Sequence, residues 1–222
     1  MNINNEILNL LLKIGVGIEI ITAVIGTFYY YKYKEVRVLN LFVYLLWYVV
    51  FNELIGYCIR EYTERAENAL FHNIYNVINF TYLLILYRYN LSIIKYRKIL
   101  SFFIISYLVA FIINGFFENY LSDFQRLPYI LAALYLVISI FFYFQDILNS
   151  NRVLNARKSL LFWISVGLLI YFVGILPFRI MRNYYSELTD FTIYFLVIFS
   201  LTVIMNICFI IGFIWSDKKQ RY

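Results

Sequence analysis

Seven long apolar runs alternate along the chain with short polar connections. A run of about 20 apolar residues can cross the hydrocarbon core as a helix that satisfies its own backbone hydrogen bonds. The pattern predicts helices over residues 7–31, 38–59, 69–87, 100–117, 127–148, 160–178 and 191–215. Strands of a membrane barrel would instead alternate in polarity over about ten residues. The expected fold is therefore an all-α integral membrane protein, a seven-transmembrane-helix bundle forming a single domain over residues 1–222. Met1–Glu6 lacks the basic start of a signal peptide, and no small-residue cleavage site precedes Lys32, so the first helix is expected to remain in the mature protein.

Charge adds a direction to this pattern. The first connection carries Lys32, Lys34 and Arg37, the third Arg88, Lys95, Arg97 and Lys98, the fifth Arg152, Arg157 and Lys158, and the tail Lys218, Lys219 and Arg221. Against these thirteen basic residues stand only Glu35, Asp146 and Asp217. The alternate regions hold eight acids (Glu6, Glu61, Glu64, Glu67, Glu118, Asp123, Glu187, Asp190) and five bases (Arg60, Arg65, Arg126, Arg179, Arg182). Because Lys and Arg in short loops are retained in the cytoplasm during insertion, the N-terminus is expected outside and the C-terminus inside.

Composition agrees. At 63% hydrophobic and 14% charged, the chain lies far from soluble domains, in which roughly a quarter of residues are charged. Seven spans leave room for turns between them and for no soluble catalytic module. The net charge of +6 is accounted for by the basic connections, so no direct nucleic acid binding is expected. Cys58 and Cys208 fall at different depths and are expected to be free thiols. With one histidine in the chain, neither a metal centre nor another cofactor is expected. No lysine lies in the seventh run to hold a Schiff-base chromophore.

The remaining information is in the polar groups inside the spans, because an ionisable side chain in hydrocarbon costs at least ~2.5 kcal/mol on insertion scales and usually faces protein or water. Glu19 is central in the first run, whereas Lys13, nearer its start, can snorkel outward. Glu53 lies about six residues, or roughly 9 Å of helical rise, inside the end of the second. The third run begins with His72, Asn73, Asn76 and Asn79; His72, Asn76 and Asn79 recur at helical spacing, and Tyr75 and Tyr82 extend the stripe. A short connection makes the second and third helices expected antiparallel neighbours, which would bring Glu53 level with His72 or Asn76. Glu53, His72, Asn76, Asn79, Glu19 and Tyr82 are thus the candidate ligand-binding residues. The competing explanation for the Asn and His residues is hydrogen bonding between membrane helices, worth about 0.6 kcal/mol per contact on average.

Gly167 and Gly174 are seven apart in the sixth run, on one helical face, which predicts close packing against another helix. Pro177 marks either a kink or the end of that helix. Arg179 and Arg182 are expected to pair at the surface with Glu187 or Asp190.

Several segments carry a resemblance: Glu53-Leu54, His72-Asn73-Ile74-Tyr75, Phe162-Trp163, Gly167 through Phe172 with Gly174, and Asn206 with Gly212-Phe213-Ile214-Trp215. In these the chain resembles a family of small seven-helix integral membrane proteins common in Bacteroidetes. More loosely it is similar to the seven-helix sensor regions that precede histidine kinases. The resemblance implies a multi-pass protein of the bacterial inner (cytoplasmic) membrane and brings no catalytic residue with it.

Three readings follow from these residues. The first is a sensor or regulatory subunit with an outward-facing polar pocket and a cytoplasmic protein partner on its basic loops. The second is a homo-oligomeric channel or membrane-perturbing effector, accessory to an anti-phage (CRISPR-type) defence system. The third is an intramembrane enzyme acting on lipid, with Glu53 and His72 as acid and base.

Overall fold

The computed structural model of the protein describes residues 3–33, 37–62, 69–180 and 191–217. Seven long helices are present among them: α1 (Ile3–Phe28), α2 (Arg37–Tyr62), α3 (Ala69–Asn90), α4 (Ile94–Asn114), α5 (Arg126–Leu148), α6 (Leu160–Ile180) and α7 (Phe191–Trp215). Two short 3-10 helices, Tyr30–Tyr33 and Asn151–Lys158, complete the regular structure, and no strand occurs among the described residues. Each long helix contains a stretch long and apolar enough to cross a membrane.

Helix limits depart most from the sequence expectation at α4. It starts at Ile94 instead of residue 100, because Lys95, Arg97 and Lys98 form its first turn. Hydropathy marks where hydrocarbon ends, whereas the helix continues into the headgroup zone, where its charged side chains are solvated. Tyr30 and Tyr31, expected within the first helix, belong to the 3-10 turn that follows it. Pro177 lies in the last turn of α6, which continues to Ile180.

Two compact units make up the chain, residues 51–154 forming one and residues 1–50 with 155–221 the other. The second of these is built on α6 and α7, with α1 also packed along α7. Gly212 approaches Trp163, Gly167 approaches Met205 and Cys208, and Gly174 approaches Leu201, so α6 and α7 run antiparallel with their backbones close. Gly15 faces Phe199 and Gly26 faces Phe213, so α1 and α7 run in the same direction. In lipid the tails are as apolar as the side chains, so such association relies on close van der Waals contact, which small residues permit. The first half of α2 joins through Phe42, whose ring meets Phe209 edge-on at 5.2 Å.

The C-terminal end of α7 is capped by the 3-10 turn after α1. Lys32 Nζ donates to the Phe213 and Ile214 carbonyls at 3.1 and 3.4 Å, and the Tyr33 hydroxyl bonds the Phe213 carbonyl and the Ser216 hydroxyl. These carbonyls have no partner within the helix and carry its negative dipole end, which a cation complements. Lys158 pairs with Asp217 at 3.3 Å, and the Asp217 backbone N–H donates to the Lys158 carbonyl.

In the 51–154 unit, α3, α4 and α5 pack against one another in all three pairings. Along α5 the buried positions Tyr129, Ala132, Ala133, Leu136, Ser139, Ile140, Tyr143, Asp146 and Ile147 recur every three to four residues, as a buried helical stripe should. The α3 stripe of Asn73, Asn76, Phe80, Leu83, Tyr87 and Asn90 answers it. Phe80 meets Tyr129 at 5.3 Å and Tyr107 at 6.0 Å, and Tyr87 meets Tyr143 at 5.8 Å, all edge to face. Among the described residues α3 thus has α4 and α5 as close backbone partners.

Candidate functional site

Most polar side chains inside the spans satisfy themselves on their own helix. Thr22, Ser139 and Ser165 donate to the carbonyl four residues back, and so do the amides of Asn90 and Asn206. This is the cheapest arrangement in hydrocarbon, where an unmade hydrogen bond finds no water.

Asn73 is an exception that links elements. Its Nδ2 donates to the Tyr120 carbonyl at 3.0 Å and the Asp123 carbonyl at 2.9 Å, while its Oδ1 accepts the Gln125 backbone N–H at 3.1 Å. Both amide hydrogens and the oxygen are used. Gln125 continues the chain of contacts: its Oε1 accepts from Asn114 Nδ2 at 2.6 Å, and the second Asn114 hydrogen goes to Glu118 Oε2 at 2.8 Å. Asn73 is 1% exposed and Gln125 3%. The network ties the α4–α5 connection down onto the start of α3. Tyr120 folds over it, its ring stacked on Phe111 and its hydroxyl donating to the Phe111 carbonyl at 2.9 Å.

Five of the six candidate residues, Glu53, His72, Asn76, Asn79 and Tyr82, fall in the 51–154 unit. The polar stripe of α3 straddles the edge of its buried face. Asn76 is buried beside Asn73, Asn79 and Tyr82 are half-buried, and His72 is exposed. Glu53 is half-buried on α2. Two buried polar atoms in this unit, Asn52 Nδ2 and Thr81 Oγ1, have no hydrogen-bond partner. They adjoin Glu53 and Tyr82 in sequence. Sequence reasoning passed over both, as it did Gln125 and Asn114; Asn73 was noticed but lay off the stripe.

Glu19 belongs to the other unit. It shares the α1 face of Gly15 and Gly26 that meets α7, and its Oε2 atom is buried. Four residues beyond Gly15 and seven before Gly26, it comes level with residues 203–206 of α7, which include the buried Asn206. Cys58 is exposed and Cys208 buried, both as free thiols. No group of three metal-ligating side chains is found among the described residues. Arg182, Glu187 and Asp190, the expected surface partners around Arg179, lie outside the described residues, as do Lys218, Lys219 and Arg221.

Together these features define a multi-pass, all-α membrane protein whose spans are seven helices. Comparisons of the chain with protein families, with curated proteins and with solved structures find no match.

Proposed function

We propose that this protein is a sensor or regulatory subunit of the bacterial cytoplasmic membrane, N-terminus outside, whose small polar ligand binds in the 51–154 unit at Glu53, His72, Asn76, Asn79 and Tyr82. The observation that carries the reading is that two buried polar atoms of this unit, Asn52 Nδ2 and Thr81 Oγ1, have no partner, each one residue in sequence from a candidate residue, Glu53 and Tyr82. A buried donor or hydroxyl left unbonded costs about 1–3 kcal/mol, which a ligand with matching polar groups recovers on binding. Glu53 supplies an acceptor or, protonated, a donor, and His72 either. The loose similarity to sensor regions of histidine kinases and the thirteen basic residues on alternate connections and the C-terminal end support a cytoplasmic protein partner.

Protein extracted in mild detergent and examined by native mass spectrometry is expected to retain a small non-covalent adduct. Glu53→Gln combined with His72→Ala is expected to reduce its occupancy at least about tenfold, since two charge-capable contacts at 1.5–3 kcal/mol each are removed. Identical adducts on the wild type and the double variant would refute the pocket.

The expected orientation is checked with Ser122→Cys, an exposed position in the α4–α5 connection, after Cys58→Ser and Cys208→Ser. A membrane-impermeant maleimide is expected to label residue 122 in intact spheroplasts, and labelling only after lysis would reverse the orientation.

A further inference from the structure

The short connection between α3 and α4 is pinned from below. Leu91 is fully buried, and the Ser92 backbone N–H donates to Asp146 Oδ2 at 2.9 Å. Asp146 is 4% exposed, so the acid of this end is turned inward. The surface above it is left to Arg88, Lys95, Arg97 and Lys98, all exposed. None of these four takes part in an ion pair among the described residues.

Two of the four are held in place. Arg88 Nε donates to Ser101 Oγ at 2.7 Å, Ser101 Oγ donates to the Arg97 carbonyl at 2.9 Å, and Arg97 Nε donates to the Leu91 carbonyl. Each guanidinium is thus anchored through Nε, and neither gives a terminal nitrogen to another described residue. Ser101, which holds the Arg88 guanidinium, bonds the backbone of Arg97, and Leu91, which holds the Arg97 guanidinium, lies three residues after Arg88, so both un-neutralised forks belong to this one end; phosphate oxygens accept from such planar forks and offset their charge.

One turn deeper, the same seam is apolar and open. Ile85 lies three residues before Arg88 and is 42% exposed; Ile105 lies four beyond Ser101 and is 62% exposed. Because residues three and four apart share a helix face, these two side chains flank the α3–α4 seam directly below the arginines. Val109 and Ile112 extend the α4 side of the strip. Both spans end here, at Asn90 and Ile94, so the charge sits at headgroup depth and the strip at acyl-chain depth.

We propose that the α3–α4 end is a binding site for an anionic phospholipid of the surrounding bilayer, its phosphate held between Arg88 and Arg97 and an acyl chain lying along Ile85 and Ile105. Basic residues at a span's end attract anionic headgroups; what is particular here is that two are prepositioned and that Asp146, the acid beside them among the described residues of this unit, is buried. The inference stands independently of the ligand pocket at Glu53.

The test uses the full chain in detergent, titrated with phosphatidylglycerol or phosphatidylcholine and read by native mass spectrometry. The wild type is expected to retain phosphatidylglycerol at least about fivefold over phosphatidylcholine, and Arg88→Gln with Arg97→Gln to abolish that preference. Lys13→Gln, an exposed basic change on α1, is expected to leave it intact. Should the double variant fail to fold, Arg88→Lys with Arg97→Lys retains the charge and is expected to lose at least half of the preference with the fork. Equal retention of both lipids by the wild type would overturn the proposal. So would displacement of phosphatidylglycerol by inorganic phosphate, which would mark a site for the free ion, or an unchanged preference in the double variant accompanied by loss of a soluble protein partner.

Discussion

Gly167→Leu is expected to prevent accumulation of folded protein, with a loss of about 3 kcal/mol or more. A Cβ at Gly167 would stand 3.0 Å from Cys208 Cβ, 3.0 Å from the Met205 carbonyl oxygen and 3.1 Å from a Phe209 ring carbon. The first two are fixed to the α7 backbone, so relief requires the helices to separate. At Gly174 the added Cβ would come closer still, 2.7 Å, but all of the nearest atoms belong to the Leu201 side chain, which can rotate away. The expected order is therefore opposite to the order of distances: Gly167→Ala lowers the thermal midpoint in detergent more than Gly174→Ala does, and Leu201→Ala restores Gly174→Ala but not Gly167→Ala. A larger drop for Gly174→Ala would show that α6 and α7 do not meet in this register.

Asn73→Leu is expected to cost about 2–4 kcal/mol, because it strands the buried Gln125 N–H and removes the donors to two carbonyls. Asn73→Asp distinguishes hydrogen bonding from packing. The shape is preserved, yet a carboxylate cannot donate to the Tyr120 and Asp123 carbonyls, so it is expected to be at least as damaging as leucine. His72→Ala, one residue earlier and exposed, is expected to cost less than either. Denaturation midpoints in one detergent compare the three; an Asn73→Asp variant as stable as the wild type would dismiss the network as a stabilising element. The contrast also matters for function, since a change at His72 then reports on ligand binding without a collapse of the unit.

The seven spans were legible because the cost of exposing backbone to lipid leaves only long unbroken helices, and run length alone registers that. The start of α4 was not, since Lys95, Arg97 and Lys98 are helical but lie beyond the hydrocarbon. In the candidate site, polarity alone drew a stripe through His72, Asn76 and Asn79. The buried face of α3 is set instead by Phe80, Leu83 and Tyr87. Counting back from those three at helical spacing reaches Asn76 and then Asn73 and His72 about equally, on either side of the stripe, so periodicity within α3 does not separate the buried Asn73 from the exposed His72. Gln125 and Asn114 carried no periodic signal. Their role depends on a connection folding back onto a helix about fifty residues earlier, which periodicity within one segment does not encode.

The capping of α7 by Lys32 and Tyr33, with Lys158 holding Asp217, also has a mechanical meaning. The end of α7 is fastened to two other stretches of polypeptide as far as residue 217. A force applied at that end is therefore shared at once by the turn after α1 and the entry to α6, so it would be felt by three crossings and not by one.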